Sequence, residues 1–341
     1  MIADAIDRDA VVAADTRTPL LSVRDLHVHF KVRGDGGWPW TPGKTLKAVN
    51  GMNFDVYPGK TLGVVGESGC GKSTLARALL NLVPATAGRI TWMGQDMAGA
   101  SPAEWQKVRR HVQMVFQDPL ASLNPRMNIA QIVGEPLRTH RPELSQAEVL
   151  ARVKATMVKV GMSDSHLYRY PHEFSGGQCQ RIGIARALIL EPKLIVCDEP
   201  VSALDVSIQA QIINLLKDLQ AEMHLALVFI AHDLAVVKHV SQRILVMYLG
   251  RVMELAHKRE LYADPKHPYT RALLSAVPLA DPKLERGKVI QMLTGDLPSP
   301  IDPPSGCVFR TRCPHAFDRC AAEVPPLKPI TPATEAACWL Y

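Results

Sequence analysis

No stretch of this sequence comes near the roughly 18 to 20 consecutive apolar residues that a bilayer-crossing helix requires. The longest apolar runs, such as residues 225–231, have the length of a buried strand. Residues 1–15 carry four aspartates and lack a basic start followed by an apolar core, so they do not read as a secretory signal. The chain is therefore expected in the cytosol, with any membrane contact made through partners. A long Lys/Arg block is also missing, as is a basic stripe interleaved with aromatics. Nucleic-acid binding is thus unsupported, although the net charge is +6. Nor is there an internal repeat of solenoid period. What remains is a chain of 341 residues, 47% hydrophobic and 21% charged, which is ordinary for a soluble globular protein. It is long enough for one large domain with a small appendage.

Strand-like and helical segments alternate along most of it. Residues 1–19 read as a disordered lead. Residues 20–30 alternate polar and apolar side chains in the manner of an edge strand, and residues 34–43, rich in Gly, Pro and Trp, read as a loop. Residues 53–57 are strand-like, and Pro58-Gly59 turns the chain into the buried run 61–65. A helical pattern follows over residues 73–82. From about residue 118 to 172 the helical patterns carry prolines and polar faces without a strong strand, which predicts a helical subdomain inserted into an α/β core. Beyond it come a helix over 174–190, a strand over 194–197, an amphipathic helix over 208–223 and a strand over 225–230. This alternation predicts a largely parallel α/β sheet. After about residue 255 prolines become frequent and the pattern weakens, predicting a separate C-terminal extension.

Gly66-Glu67-Ser68-Gly69-Cys70-Gly71-Lys72-Ser73-Thr74 fits the full phosphate-loop pattern and stands after a strand and at the start of a helix. Glycines let the backbone curl until successive N–H groups face phosphate oxygens, and the helix adds its positive N-terminal end. Lys72 is assigned to the β- and γ-phosphates and Ser73 to Mg²⁺. A chance glycine-rich turn is the bland alternative, and the strand–loop–helix context weighs against it. Asp198-Glu199, at the end of an apolar strand, supplies the second half. Asp198 would hold Mg²⁺ directly or through water, and Glu199 would polarise the attacking water as general base. A strand ending in Asp-Glu is common by itself; its place downstream of a phosphate loop carries the assignment.

Ser175-Gly176-Gly177-Gln178, just before a helix, resembles the signature motif of ABC-type ATPases. The family's other landmarks stand in the family's order over roughly residues 20 to 255. Gln117 matches the Q-loop, Ser202-Ala203-Leu204-Asp205 the D-loop, and His232 the switch histidine. The resemblance implies a P-loop ABC-type nucleotide-binding domain over 20–255, its helical subdomain at about 118–172, binding ATP with Mg²⁺. It also implies head-to-tail pairing with a second ABC ATPase subunit, identical or related. Ser175 and the signature glycines of each chain would then meet the γ-phosphate of ATP held by the other, with Asp205 joining the nucleotide-binding set. Gln117 would sense Mg²⁺ and the attacking water, and His232 would contact the γ-phosphate. The family stacks adenine on an aromatic upstream of the phosphate loop; Trp40 is the candidate, in a loop longer than usual. Phe174 stands where Leu is commoner, a change of packing that removes no catalytic group. Cys179, directly after the motif, reads as a small helix residue rather than a reactive thiol.

Three further segments resemble the oligopeptide/dipeptide importer branch of bacterial ABC transporters, nearest to its F-type ATPase subunit. They are residues 118–126, from Asp118 to Arg126; residues 267–274, beginning His267-Pro268-Tyr269; and residues 306–314, which hold Cys307, Arg312 and Cys313. This resemblance implies two transmembrane permease subunits, an extracytoplasmic solute-binding protein, and a peripheral place on the cytoplasmic face of the bacterial inner membrane. Nickel, oligosaccharide and antimicrobial-peptide transport fall within the same branch. A non-transport ABC ATPase is the alternative from another class; such proteins usually carry both ATPase halves in one chain and lack this tail. Cys307, Cys313, Cys320 and Cys338 crowd into the extension at 256–341. Four thiolates suffice for zinc or for a [4Fe–4S] cluster, and in a reducing cytosol they suggest a metal site more than disulfides. Closely spaced Cys pairs of the zinc type are missing. The likeness to cluster-bearing importer subunits implies iron–sulfur, and unliganded cysteines are the remaining alternative.

Overall fold

The computed structural model describes residues 18–32, 43–278 and 281–341. Two sheets organise them. The larger has eight strands, in the order Lys328–Thr331, Thr334–Ala336, Arg251–His257, Arg243–Tyr248, Thr61–Val65, Ala226–Ala231, Leu194–Asp198, Val112–Val115. From Arg243–Tyr248 onward each neighbouring pair is parallel. These strands read as unbroken apolar runs because both of their faces are covered. Leu194–Asp198 and Ala226–Ala231 are buried at every position.

The smaller sheet is antiparallel, in the order Lys44–Val56, Leu21–Val32, Ala87–Trp92, Gln95–Asp96. Alternation over residues 20–30 suggests an edge strand, yet Leu21–Val32 lies inside this sheet. It pairs with Lys44–Val56 on one side and with Ala87–Trp92 on the other. Alternation reports that one face is covered; it carries no information on how many strands share the backbone hydrogen bonds.

Between Val112–Val115 and Leu194–Asp198 no strand occurs. Helices Ile129–His140 and Gln146–Lys159 occupy the interval, and each is started by a capping box. Asn128 Oδ1 accepts from the Gln131 N–H at 2.9 Å, and Ser145 Oγ accepts from the Glu148 N–H at 3.3 Å. Their buried faces, Ile132, Val133, Val153 and Met157, join one core with Ile182 and Ala185 of helix Gly176–Leu188. The helical insertion therefore rests directly on the helix that carries Ser175-Gly176-Gly177-Gln178 at its start.

Where the sequence suggests a separate extension after residue 255, the structure knits that segment to the large sheet. Thr334–Ala336 pairs antiparallel with Arg251–His257, and Lys328–Thr331 adds outside it. Phe309 is fully buried, with its ring centroid 5.3 Å from that of Tyr248 and 5.3 Å from that of Tyr269. Glu254, also fully buried, accepts the backbone N–H groups of Lys266 and His267, both at 2.8 Å. Prolines interrupt the periodicity of this segment without interrupting its packing.

Candidate active site

Thr61–Val65 lies inside the large sheet, and the chain leaves its C-terminal end as a tight loop that turns into helix Lys72–Leu79. At Gly71 the backbone has φ 105°, and a Cβ there would stand 2.0 Å from the Ala48 carbonyl oxygen. Only glycine meets both conditions. The curl brings the Lys72 ammonium back inside its own loop, where it donates to the carbonyls of Gly66 at 2.8 Å and Glu67 at 3.1 Å. Lys72 is only 4% exposed.

Leu194–Asp198 delivers the acidic groups from two strands away. The Ser73 hydroxyl donates to Asp198 Oδ1 at 2.9 Å. Burial raises the Asp198 pKa, and the Ser73 bond opposes that rise in part. Glu199 follows at φ 45°, a left-handed conformation that costs a non-glycine residue roughly 1 to 2 kcal/mol. Three predicted side chains converge on its carboxylate. Lys72 Nζ is 3.7 Å from Oε1, Gln117 Nε2 donates to Oε2 at 3.1 Å, and His232 Nδ1 lies 3.7 Å from Oε2. The His232 side chain is otherwise open, at 58% exposure. A cleft of about 300 Å³ follows residues 68–74, Gln117 and Glu199, with Phe30, Leu46 and Pro300 on its apolar side. A smaller pocket of about 30 Å³ continues past Glu199 to Ser202, Gln209 and His232.

The phosphate-loop residues, Ser73, Asp198, Glu199, Gln117 and His232 thus come together. Ser175-Gly176-Gly177-Gln178 does not line the cleft. Ser175 caps its own helix, its Oγ accepting from the Gln178 N–H at 3.3 Å while Gln178 Oε1 accepts from the Ser175 N–H at 3.0 Å. Asp205 stands exposed at the start of helix Val206–Met223 and makes no capping side-chain bond. Trp40 lies outside the described residues. Phe30 supplies an aromatic wall that the strand pattern gives no reason to single out from its apolar neighbours.

Sequence reasoning also missed two residues that reach the loop from the extension. Arg312 Nη1 donates to both carboxylate oxygens of Glu67, and the Tyr269 hydroxyl accepts the Glu67 backbone N–H. The residues of the ion pair are 245 positions apart, beyond the reach of any local pattern.

Cys307, Cys320 and Cys338 are buried and Cys313 is partly so. Burial pushes the Cys307 thiol up to about 11, and the other three thiols of the tail add to the rise. Burial likewise raises Cys313 and Cys338, again with neighbouring tail thiols contributing. The tail thiols thus influence one another electrostatically. Even so, among the described residues no group of three or more His, Cys, Asp or Glu closes around a metal-ion position. The iron–sulfur expectation therefore gains no support from a closed ligand set, and zinc gains none either. No helix of the described residues is long and apolar enough to cross a membrane.

Comparison with known proteins is consistent with this geometry. Residues 49–202 match the family model described as ABC transporter. Residues 253–320 match the one described as oligopeptide/dipeptide transporter, C-terminal region. The chain is 64% identical over 312 residues to the oligopeptide transport ATP-binding protein OppF of Escherichia coli, covering 92% of this chain and 93% of that one. It is 61% identical over 316 residues to the protein of the same name from Haemophilus influenzae, covering 93% and 95%. A solved structure described as the dimeric post-hydrolysis state of the ATP-binding cassette MJ0796, bound to ADP and Pi, is similar with a TM-score of 0.63. It is 27% identical and covers 70% of this chain and 99% of that one.

Proposed function

The chain belongs to the ABC transporter family, in the branch marked by the oligopeptide/dipeptide transporter C-terminal region, and from that membership we propose that it is the ATP-hydrolysing subunit of a peptide importer. The observation that carries this reading is the convergence of Lys72, Gln117 and His232 on Glu199, beside the Ser73–Asp198 pair. In this assignment residues 66–74 cradle the triphosphate with their backbone N–H groups, and Lys72 answers the β- and γ-phosphate charge. Ser73 and Asp198 are hard oxygen donors on adjacent elements, the set that suits Mg²⁺ when water and phosphate complete its shell. When bound, the ion neutralises phosphate charge. Glu199 takes the proton of the attacking water, Gln117 holds that carboxylate in place, and His232 faces the γ-phosphoryl group as it passes from ADP to water.

Ser175 and its helix start lie off the chain's own cleft, which favours their serving ATP on a second ATPase subunit. The similar cassette described as a dimer is in keeping with that. The same reading gives the molecule its other partners: two transmembrane permease subunits and an extracytoplasmic solute-binding protein. It puts the chain at the cytoplasmic face of the membrane. We assign residues 20–255 to the ATPase domain, about 118–172 to its helical subdomain, and 256–341 to the branch-specific extension. Cys307, Cys313, Cys320 and Cys338 are proposed to hold a [4Fe–4S] cluster. Four cysteine thiolates are the ligand set of such a cluster.

The test is uptake by the complete transporter in sealed vesicles, comparing the unchanged chain with Glu199→Gln. ATP turnover is expected to fall by about 100-fold or more, the usual worth of a general base, and peptide accumulation is expected to stop with it. Unchanged turnover would remove Glu199 from its role. Accumulation of nickel or an oligosaccharide in place of peptides would overturn the substrate assignment and leave the ATPase assignment standing.

A further inference from the structure

The phosphate loop is held from outside by the C-terminal extension. Glu67 follows Gly66 in the loop, and Arg312 Nη1 donates to its two carboxylate oxygens at 3.1 and 2.8 Å. The Arg312 side chain is 11% exposed and that of Glu67 26%. The Tyr269 hydroxyl, on helix Pro268–Ala276, accepts the Glu67 N–H at 3.0 Å. Behind this pair lies a buried aromatic platform. The Tyr248 and Tyr269 rings are 4.8 Å apart, Phe309 packs on both, and the Arg312 guanidinium sits 6.0 Å from the Tyr248 ring centroid. Packing therefore fixes where Arg312 points.

A carboxylate is the wrong charge for a loop that gathers phosphates. Left alone and half-buried, it repels a triphosphate through a medium of lower dielectric than water. A guanidinium whose Nη1 bonds to both oxygens removes that repulsion and holds the side chain in one place. We propose that Arg312 is a positioning residue of the nucleotide site: by neutralising and fixing Glu67 it makes ATP affinity depend on the seating of the cysteine-bearing extension. This rests on the assignment of residues 66–74 to the nucleotide phosphates.

The experiment titrates MgATP into the full-length chain and into Arg312→Gln, Glu67→Gln and the double variant, at low and high salt. Arg312→Gln is expected to weaken binding roughly three- to tenfold, in the range of a charge-assisted bond that is partly open to solvent. Its defect should shrink as salt screens the exposed carboxylate. The double variant should bind as Glu67→Gln does and more tightly than Arg312→Gln, because the carboxylate that Arg312 answers is gone. A purely structural loss predicts the opposite, a double variant as weak as Arg312→Gln and indifferent to salt. That result, or Arg312→Gln binding as tightly as the unchanged chain, overturns the proposal. Should Arg312→Gln fail to melt cooperatively, Arg312→Lys keeps the charge without the guanidinium. Near-normal affinity in the lysine variant supports neutralisation, and affinity as weak as that of a chain lacking the charge refutes it. If the unchanged chain does not bind MgATP, the failure belongs to the phosphate-loop assignment instead.

Discussion

His267 is a residue whose environment can be read only in the folded chain. Its sequence position places it in a branch motif; the structure makes it 1% exposed and caps helix Pro268–Ala276 with its Nδ1, which accepts the Tyr269 N–H at 3.1 Å. Burial pushes its imidazole down to about 3, and nearby Arg271 adds to the shift. In the unfolded chain it titrates near 6.5. Between those values the unfolded state binds a proton that the folded state refuses. Stability from this group is therefore complete above about pH 6.5 and falls as pH drops towards 3, by about 1.4 kcal/mol per pH unit. His267→Asn keeps a good capping oxygen and removes the titration. Urea unfolding at pH 7 and pH 5 should show a smaller acid loss in the variant than in the unchanged chain. Equal losses would take His267 out of the account. Glu199 makes the same point about legibility: the Asp-Glu pair suggests the role proposed for it, but nothing in the pair shows its left-handed backbone at φ 45°.

At the scale of elements, the pattern over about 118–172 gives helices without their starts, and the caps that set those starts are local. Asn128, Ser145 and Ser175 each precede a glutamine or glutamate by three residues, and each forms the reciprocal cap. The inner place of Leu21–Val32 was not legible, since strand neighbours are chosen by the whole sheet. Gly177 sits between these cases. The motif recommends glycine for close approach to a partner's nucleotide, whereas in this chain a Cβ at Gly177 would meet Ile208 Cγ2 at 2.6 Å. Two helices therefore also need that glycine in order to touch. Gly177→Ala is expected to cost about 1 to 3 kcal/mol through overpacking, and adding Ile208→Ala should recover most of the lost melting temperature. The decisive reading is ATP turnover in the complete transporter. If the double variant regains stability and stays slow, the glycine serves the nucleotide as well as the packing. Recovery of both would assign it to packing alone.

Across the whole molecule, the sequence separates an ATPase domain from a proline-rich tail, and the structure ties the two segments together at several places. The hairpin of Lys328–Thr331 and Thr334–Ala336 extends the large sheet, Phe309 enters the core, and Arg312 reaches the phosphate loop. Contacts between residues hundreds of positions apart leave no periodicity, which is why this union could not be read in advance. The segment that bears Arg312 has little regular structure of its own. It is built of turns, the short helix Asp318–Ala322 and a Cys307 N–H bonded to the Cys320 carbonyl at 2.8 Å. Four cysteine thiols lie in this segment, the donor set a [4Fe–4S] cluster takes. If they hold iron and sulfide, a full-length chain purified without air should contain both. Removing the iron with a chelator should then loosen the hold on Arg312 and weaken MgATP binding. The same treatment should leave the affinity of Arg312→Gln nearly unchanged, because that variant has already lost the link. An iron-free, colourless chain recovered from intact cells would end the cluster assignment. Equal weakening of both chains by the chelator would mean that the tail acts on the site by some route other than Arg312.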